Sequence, residues 1–378
     1  MVYLLISLIV ICVLAALAYL QLPKFGKLPS GERLARIEKS PNYRNGEFHN
    51  QIDTPMFADG RSFWSVLLEN MRTKVDKLKP SHDIPTVKTN LHQLAPDQDI
   101  IVWLGHSSFF MQFAGKKILI DPVFSASAAP VSFVNYSFEG TNLYSAADMP
   151  EIDLLLLTHD HWDHLDYPTL MSLKPKVKQV ITGLGMGSYL QHWGYPVQHI
   201  VEGDWYDKVK IDPQLNIYLV PARHYSGRRL IRNKTLWTGF VLESTDKRLL
   251  FSGDSGYGPH FAEIGQKFKH FDFVALDSGQ YDARWPYIHM NPEESAQAAK
   301  DLGTQVLMPI HVGKYTLARH AWDEPFKRIE KASINQPYRL VTPEIGEPMS
   351  LDHLSTQKFH DWWQATSAPS GEHSLNHN

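Results

Sequence analysis

Cysteine is almost missing from this chain: among 378 residues there is one, Cys12. No disulfide framework can form within the chain. Cys12 lies inside an apolar N-terminal run, so a cysteine nucleophile and thiolate metal ligation are excluded as well. Any bound metal must be held by nitrogen and oxygen, which suits zinc, iron or manganese. An excess of charge of one sign is also lacking. There are 37 Lys and Arg against 40 Asp and Glu, a formal charge of −3, and no strongly basic stretch, which argues against a nucleic-acid partner. No Lys or Arg precedes the N-terminal run, and inspection finds no internal repeat.

What is present begins with that run. Residues 2–22, VYLLISLIVICVLAALAYLQL, carry no charge, and about 20 apolar residues in a helix span a bilayer core. A cleaved signal peptide has a basic start and a shorter apolar stretch, so the run is predicted to be an uncleaved transmembrane anchor over 1–22. Lys24, Lys27, Arg33 and Arg36 follow it. The positive-inside rule then predicts the body on the cytoplasmic side of a membrane.

The rest, 43% hydrophobic overall, supports one large domain with a full core or two small ones. Residues 23–95 read as an N-terminal extension. Its first part, 23–60, is predicted to be extended loop with a turn at Asn45-Gly46. Over 61–78, the spacing of Phe63, Val66, Leu67, Met71 and Val75 predicts an amphipathic helix. A body over 96–350 follows. Residues 99–121 predict two strands joined at Ala114-Gly115. Strands are then expected at 153–158, 179–182, 199–201, 208–210 and 216–220, with helices from about Asp163 and over 186–192. A hairpin (236–243 with 247–252), a strand (273–277), a helix (293–301) and a strand (306–309) complete it. Interleaved strands and helices predict a mixed α/β body. Residues 351–378 read as a C-terminal segment whose polar end, SAPSGEHSLNHN, is expected to be disordered.

The most informative run is 154–164, LLLLTHDHWDH. A buried apolar strand ends in Thr158, and His159, Asp160, His161, Asp163 and His164 crowd together after it in a His-x-His-x-Asp-His spacing. Buried polar groups without partners each cost about 2–7 kcal/mol, and a pair of divalent cations would supply those partners at once. Other strands deliver the same residue types at their carboxyl ends, the edge where α/β folds build sites. These are His224 in IYLVPARH, Asp254 in RLLFSGDSGYG and His311 in QVLMPIHVG. Around them, Asp160 either orients a ligand ring or caps locally. His106, after Gly105, either backs a ligand or is a core histidine. Asp121, before Pro122, either binds a ligand's ring N–H or caps a strand. Tyr281 and Arg284 are candidates to meet a phosphate, although an exposed ion pair explains Arg284 as readily. Phe109, Phe110, Met111, Trp64 and Leu67 could face lipid, but such spacing usually means core.

With its later His, Gly-Asp-Ser-Gly and Pro-Ile-His segments, THDHWDH resembles the metallo-β-lactamase superfamily. The resemblance implies an αββα sandwich with a dinuclear site. His159, His161 and His224 would hold one metal and Asp163, His164 and His311 the other, with Asp254 bridging. WLGHSS, LIDPVFSASAAP, HDHWDHLDY, GDSGYGPHFAEIG, YDARWPYIHMNPEE and MPIHVGKY, spread over about 99–320, look like the N-acyl-phosphatidylethanolamine phospholipase D subgroup and its bacterial relatives. That likeness implies a metal-dependent phosphodiesterase acting on a membrane phospholipid, with two divalent ions, zinc first and iron or manganese as options. A water shared by two such ions has its pKa lowered to about 7 and can attack phosphorus. Asp163, Asp254 and His289 would form the catalytic set, with His289 near the phosphate or protonating the leaving group. The alternatives are a lactonase or other soluble-ester hydrolase on the same scaffold, and a metal-binding scaffold protein without catalysis. A full ligand set speaks against the last, since a structural zinc needs only four closed ligands.

Overall fold

A computed structural model describes residues 1–72 and 74–365 of the chain. The expected polar tail lies outside these residues, as do the side chains of Phe63, Leu67 and Met71. The uncharged run forms helix α1 (Val2–Tyr19), which buries none of its side chains and is long and apolar enough to cross a membrane. At 1.5 Å per residue it is about 27 Å long, close to the thickness of a bilayer's hydrocarbon core.

The stretch after it is more ordered than an extended loop. Helix α2 (Gly31–Ile37) is followed by a two-residue hairpin, β1 (Tyr43–Arg44) with β2 (Glu47–Phe48). The hairpin closes at Asn45-Gly46, where both residues are left-handed as a tight hairpin turn demands. Ile37 and Phe48 are fully buried against Leu184, Leu236 and Trp237 of the body, and that burial is what orders the segment. Helix α3 (Phe63–Arg72) falls within the amphipathic stretch.

Strands β3 (Ile100–Trp103), β4 (Phe109–Phe113), β5 (Lys116–Ile120), β6 (Ile152–Leu157), β7 (Val177–Gly183) and β8 (Ile200–Gly203) lie side by side in one sheet. A second sheet contains β9 (Lys208–Lys210), β10 (Asn216–Val220), β11 (Gly239–Glu243), β12 (Arg248–Phe251), β13 (Phe273–Asp277), β14 (Val306–Ile310) and β15 (Arg339–Leu340), again in chain order. Strand β16 (Pro348–Ser350) returns to pair with β3. From the β16 edge the first sheet runs through three antiparallel pairings and then three parallel ones. From β9 the second sheet does the same. The two halves thus share a hydrogen-bonding plan that inspection of the sequence did not reveal.

Alternation along each strand builds three layers of core. In β6, Leu154 and Leu156 point between the sheets toward Phe240 and Phe251. Leu155 and Leu157 point outward to Leu170 and Leu190 of helices α4 (Tyr167–Leu173) and α5 (Gly187–His192). Helices α6 (His260–Phe268), α7 (Pro292–Leu302) and α8 (Glu324–Ala332) cover the second sheet through Ile264, Ala299 and Ile329. Helix α9 (Trp362–Ala365) seats Trp362 and Trp363 against Phe326. The result is an αββα sandwich. Phe109, Phe110 and Met111 are fully buried core, not lipid-facing.

Three expectations change. Residues 99–121 hold three strands, because the chain reverses at Gly105-His106, where both residues have positive φ. The helix expected from Asp163 starts at Tyr167, with Pro168 in its first turn, since 159–164 are spent turning side chains inward. Helices α6 and α8 were not foreseen. The buried stripe of α8 is only Pro325, Phe326 and Ile329, too narrow a signal to stand out.

Candidate metal centre

The loops leaving β6, β10, β12 and β14 converge at one end of the sandwich. His159 Nε2 and His224 Nε2 lie 3.0 and 3.1 Å from His161 Nδ1, and each is 3.7 Å from Asp254 Oδ2. Beside this cluster, Asp163 Oδ2 is 3.5 Å from His164 Nε2 and 3.0 Å from His311 Nε2. Asp254 closes this second group too, with Oδ1 3.1 Å from His164 Nε2 and Oδ2 3.3 Å from His311 Nε2. One carboxylate therefore belongs to both groups.

These spacings fit metal ions. Donors bonded at about 2.0–2.1 Å to a tetrahedral cation stand about 3.3 Å apart, and both groups scatter around that separation. His164 Nε2 and Asp254 Oδ1 are buried, face one another and have no hydrogen-bond partner. Such groups cost about 1–3 kcal/mol each if nothing binds them. Burial holds the imidazoles of His159 and His224 well below their usual range and lowers His161 to about 4, so all three stay neutral, as ligands must. Burial also pulls His164 and His311 down, but Asp254 and Asp163 outweigh it, so His164 ends well above its usual range and His311 rises to about 10; a cation bound there would displace those ring protons. Burial pushes Asp163 and Asp254 upward, yet the imidazoles, His164 foremost, keep both carboxyls ionised. The carboxylates concentrate negative potential where two cations would sit.

A further ring of contacts aims the donors. His164 Nδ1 donates to Asp121 Oδ2 at 2.8 Å, and Asp121 also accepts from the Thr158 amide and hydroxyl. His159 Nδ1 reaches that same hydroxyl at 3.0 Å. His224 Nδ1 donates to the Ile288 carbonyl at 2.8 Å. The His106 ring, fully buried, touches Asp163 Oδ2 at 2.9 Å. His289 stacks on His311 and is held by Asp277 Oδ2 at 2.9 Å.

Three expected residues are placed otherwise. Asp160 touches no ring nitrogen among the described residues. Its oxygens accept from Gly227 N, Tyr189 OH and Thr235 Oγ1, so it fastens the 227–235 loop to the ligand loop. Tyr281 donates to Glu324 and stacks on His320, in a groove beside the cluster. Arg284 is committed to Asp282 in an ion pair. Neither Tyr281 nor Arg284 lines the cavity over the cluster.

That cavity, of about 460 Å³, has His161, Asp163, Asp254, His289 and His311 at its base. Arg229, Arg232, Trp162, Tyr225 and Trp285 contribute to its walls. Sequence reading overlooked both arginines and Asp277. The available signals were an Arg-rich loop shortly after His224, and a carboxylate ending a strand as Asp254 follows one.

The sandwich and its paired His/Asp groups define a class, the metal-dependent hydrolases built on the metallo-β-lactamase fold. Residues 116–312 match the family described as the beta-lactamase superfamily domain, and the chain belongs to that superfamily. It is 34% identical over 331 residues to an uncharacterised protein of Mycobacterium tuberculosis, covering 86% of this chain and 88% of that one. It is 29% identical over 228 residues to N-acyl-phosphatidylethanolamine-hydrolyzing phospholipase D 1 of Caenorhabditis elegans, covering 57% of this chain and 64% of the relative. Among solved structures, the metallo hydrolase Igni18 of Ignicoccus hospitalis shares the fold, with a TM-score of 0.50 at 22% identity over 67% of this chain and 97% of its own.

Proposed function

We propose that this hydrolase is a membrane-anchored phosphodiesterase of the phospholipase D type, releasing the head group of a phospholipid of the N-acylated ethanolamine class. One observation carries the reading. The cavity over the His/Asp cluster joins two arginines, Arg229 and Arg232, to apolar walls that include Met56, Phe57, Val66 and Leu317. Such a lining suits an anionic diester with hydrocarbon attached. Kinship with the nematode phospholipase D supports it, as does the apolar α1. In this reading the basic residues after α1 put the body on the cytoplasmic side.

We assign His159, His161 and His224 to one cation, Asp163, His164 and His311 to the other, and Asp254 to both. Zinc is the first expectation, and the nitrogen and oxygen donors admit iron or manganese. Such a pair supplies a nucleophilic water at neutral pH and neutralises charge on a phosphoryl oxygen. The chain's own side chains do the remainder. Arg229 and Arg232 hold and orient the phosphate. Asp277 fixes Nδ1 of His289, which leaves Nε2 to give a proton to the departing alkoxide. The phosphorus–oxygen bond to the ethanolamine arm breaks and one to water's oxygen forms, so the products are phosphatidic acid and an N-acylethanolamine.

The test is a hydrolysis panel on the full chain in detergent micelles with zinc, read by mass spectrometry. N-acyl-phosphatidylethanolamine should yield those two products, stop with a chelator and resume when zinc is restored. Turnover of lactones alone would overturn the proposal in favour of a lactonase. Failure to turn over either class would favour the scaffold reading.

A further inference from the structure

The end of α1 is not joined to the body by a free linker. Tyr19 OH donates to the Pro130 carbonyl at 2.6 Å, and Lys24 Nζ reaches the same oxygen at 2.6 Å. Arg229 donates to the Leu20 carbonyl at 2.7 Å, and Arg228 to the Lys24 carbonyl at 2.6 Å. Pro130 and Arg229 also line the cavity over the His/Asp cluster. The apolar helix therefore leaves the body at the rim of that cavity.

The two loops that hold it carry large apolar side chains facing outward. Phe133 is 72% exposed, Leu230 83% and Ile231 54%. Scattered exposed hydrophobes are ordinary on any surface. These are not scattered, since they sit at the tips of the loops that contribute Pro130, Asn135, Arg229 and Arg232 to the cavity. The tips are also built rather than slack. Ser127 Oγ ties the Val131 and Val134 carbonyls, Ala128 pairs with Asn135, and the Asn233 amide donates to the Ser226 carbonyl.

We infer that the loops around 130–134 and 229–232 are a membrane-inserted rim, so that the cavity mouth opens directly onto the bilayer holding α1. The inference rests on the reading of α1 as an anchor. The occupant of this apolar surface is the lipid bilayer itself, because the surface is continuous with a helix long and apolar enough to lie in it. A lipid substrate then enters sideways from the leaflet, its phosphate meeting Arg229 and Arg232 without crossing bulk water.

The test uses full-length chain in phosphatidylcholine vesicles, with an environment-sensitive fluorophore on single cysteines. The native Cys12 reports α1 directly. In a Cys12→Ser background, Phe133→Cys and Leu230→Cys report the rim, and Ile334→Cys, also exposed but after α8, is the reference. Labels at 133 and 230 should show blue-shifted emission and lose intensity when doxyl-labelled lipid is included, as at Cys12, while 334 does neither. If Cys12 is quenched but 133 and 230 are not, the rim is overturned and the anchor stands. If Cys12 is not quenched either, the anchor reading fails and the rim with it. A blue shift at 133 and 230 that doxyl lipid does not quench would assign the surface to a protein contact and overturn the proposal.

Discussion

Asp121 shows how much one buried carboxylate can organise. It takes the ring N–H of His164 on one side and both donors of Thr158 on the other, and Thr158 Oγ1 in turn faces His159. It so aims a donor of each His/Asp group. Asp121→Asn is expected to weaken metal affinity by about 10–100-fold while leaving the fold intact, measured by chelator competition with circular dichroism as the fold control. From sequence, Asp121 and His106 were even choices between ligand support and ordinary packing, because their partners lie far along the chain. Lys314 makes a different kind of prediction. It is 1% exposed, donates to the Val123 carbonyl, and has no carboxylate partner among the described residues. Burial lowers its pKa to about 8. Below pH 8 the folded state bears the cost of a buried cation, on the order of 3 kcal/mol. As pH rises from 8 toward 10.5 the unfolded chain binds that proton more tightly than the folded one, so folding stability should climb. Urea midpoints with saturating zinc should show that climb in the native chain and not in Lys314→Met, which should be the more stable of the two at pH 7.

Strand ends position the donors, and the turns after them are where local rules bend. His106, Asp121 and His311 all adopt positive φ, at +56°, +40° and +63°. Each such backbone costs about 1–3 kcal/mol and persists because surrounding bonds hold it. Here Trp103 Nε1 donates to the His106 carbonyl, Ser108 Oγ to that of Asp121, and Gln280 Nε2 to that of His311. The loop bearing His289 is held by close backbone approach instead. A Cβ on Gly256 would fall 1.9 Å from the Tyr287 carbonyl oxygen. Gly256→Ala must therefore push residues 287–289, moving both His289 and the Ile288 carbonyl that aims His224. A displacement of about 1 Å can cost about 10²-fold in rate. The variant should lose turnover on that scale while keeping much of its metal, read as kcat against metal content. Unchanged kcat would mean that this loop does not position the chemistry. At this scale, continuous buried apolar runs such as β6 and β13 were legible as strands. The break between β3 and β4 was not, because WLGHSSFF is buried through the reversal and carries no Pro, Asn or Asp to mark a turn.

For the molecule as a whole, the two sheets close on a cluster of like charge. Asp163, Asp254 and Asp277 are buried together at the end of the sandwich, within ion-pair distance of shared imidazoles. Cations that bind the folded state there stabilise it by about 2.7 kcal/mol at a hundred times their dissociation constant. With an unfolding entropy of about 2.1 cal/mol/K per residue, a kcal/mol shifts the melting temperature of a chain this long by about 1–1.5 °C. Chelation should thus lower the melting temperature by roughly 3 °C or more, and added zinc should restore it in a calorimetric scan. No change on chelation would mean that the cluster does not hold metal in the folded protein. The repeated plan of the sheets was invisible to inspection. Hydrogen-bonding topology repeats here although the residues do not, and β16 reaches its place only by returning from the far end of the chain.

Residue type and order alone determined which donors exist and which strands deliver them. A buried apolar run ending in three imidazoles and two carboxylates has few uses other than holding metal. The resemblance already implied how those donors divide, and the tertiary structure decided how they meet. It placed Asp254 between the two groups, brought Asp163 to His311 across 148 residues, and set the end of α1 against Pro130 across 111. It also paired Arg284 with Asp282 and put Arg229 in the lining of the cavity. The reason is physical. Side-chain periodicity encodes which face of an element is buried, but contacts across the sandwich depend on how the two sheets pack, which no local pattern contains.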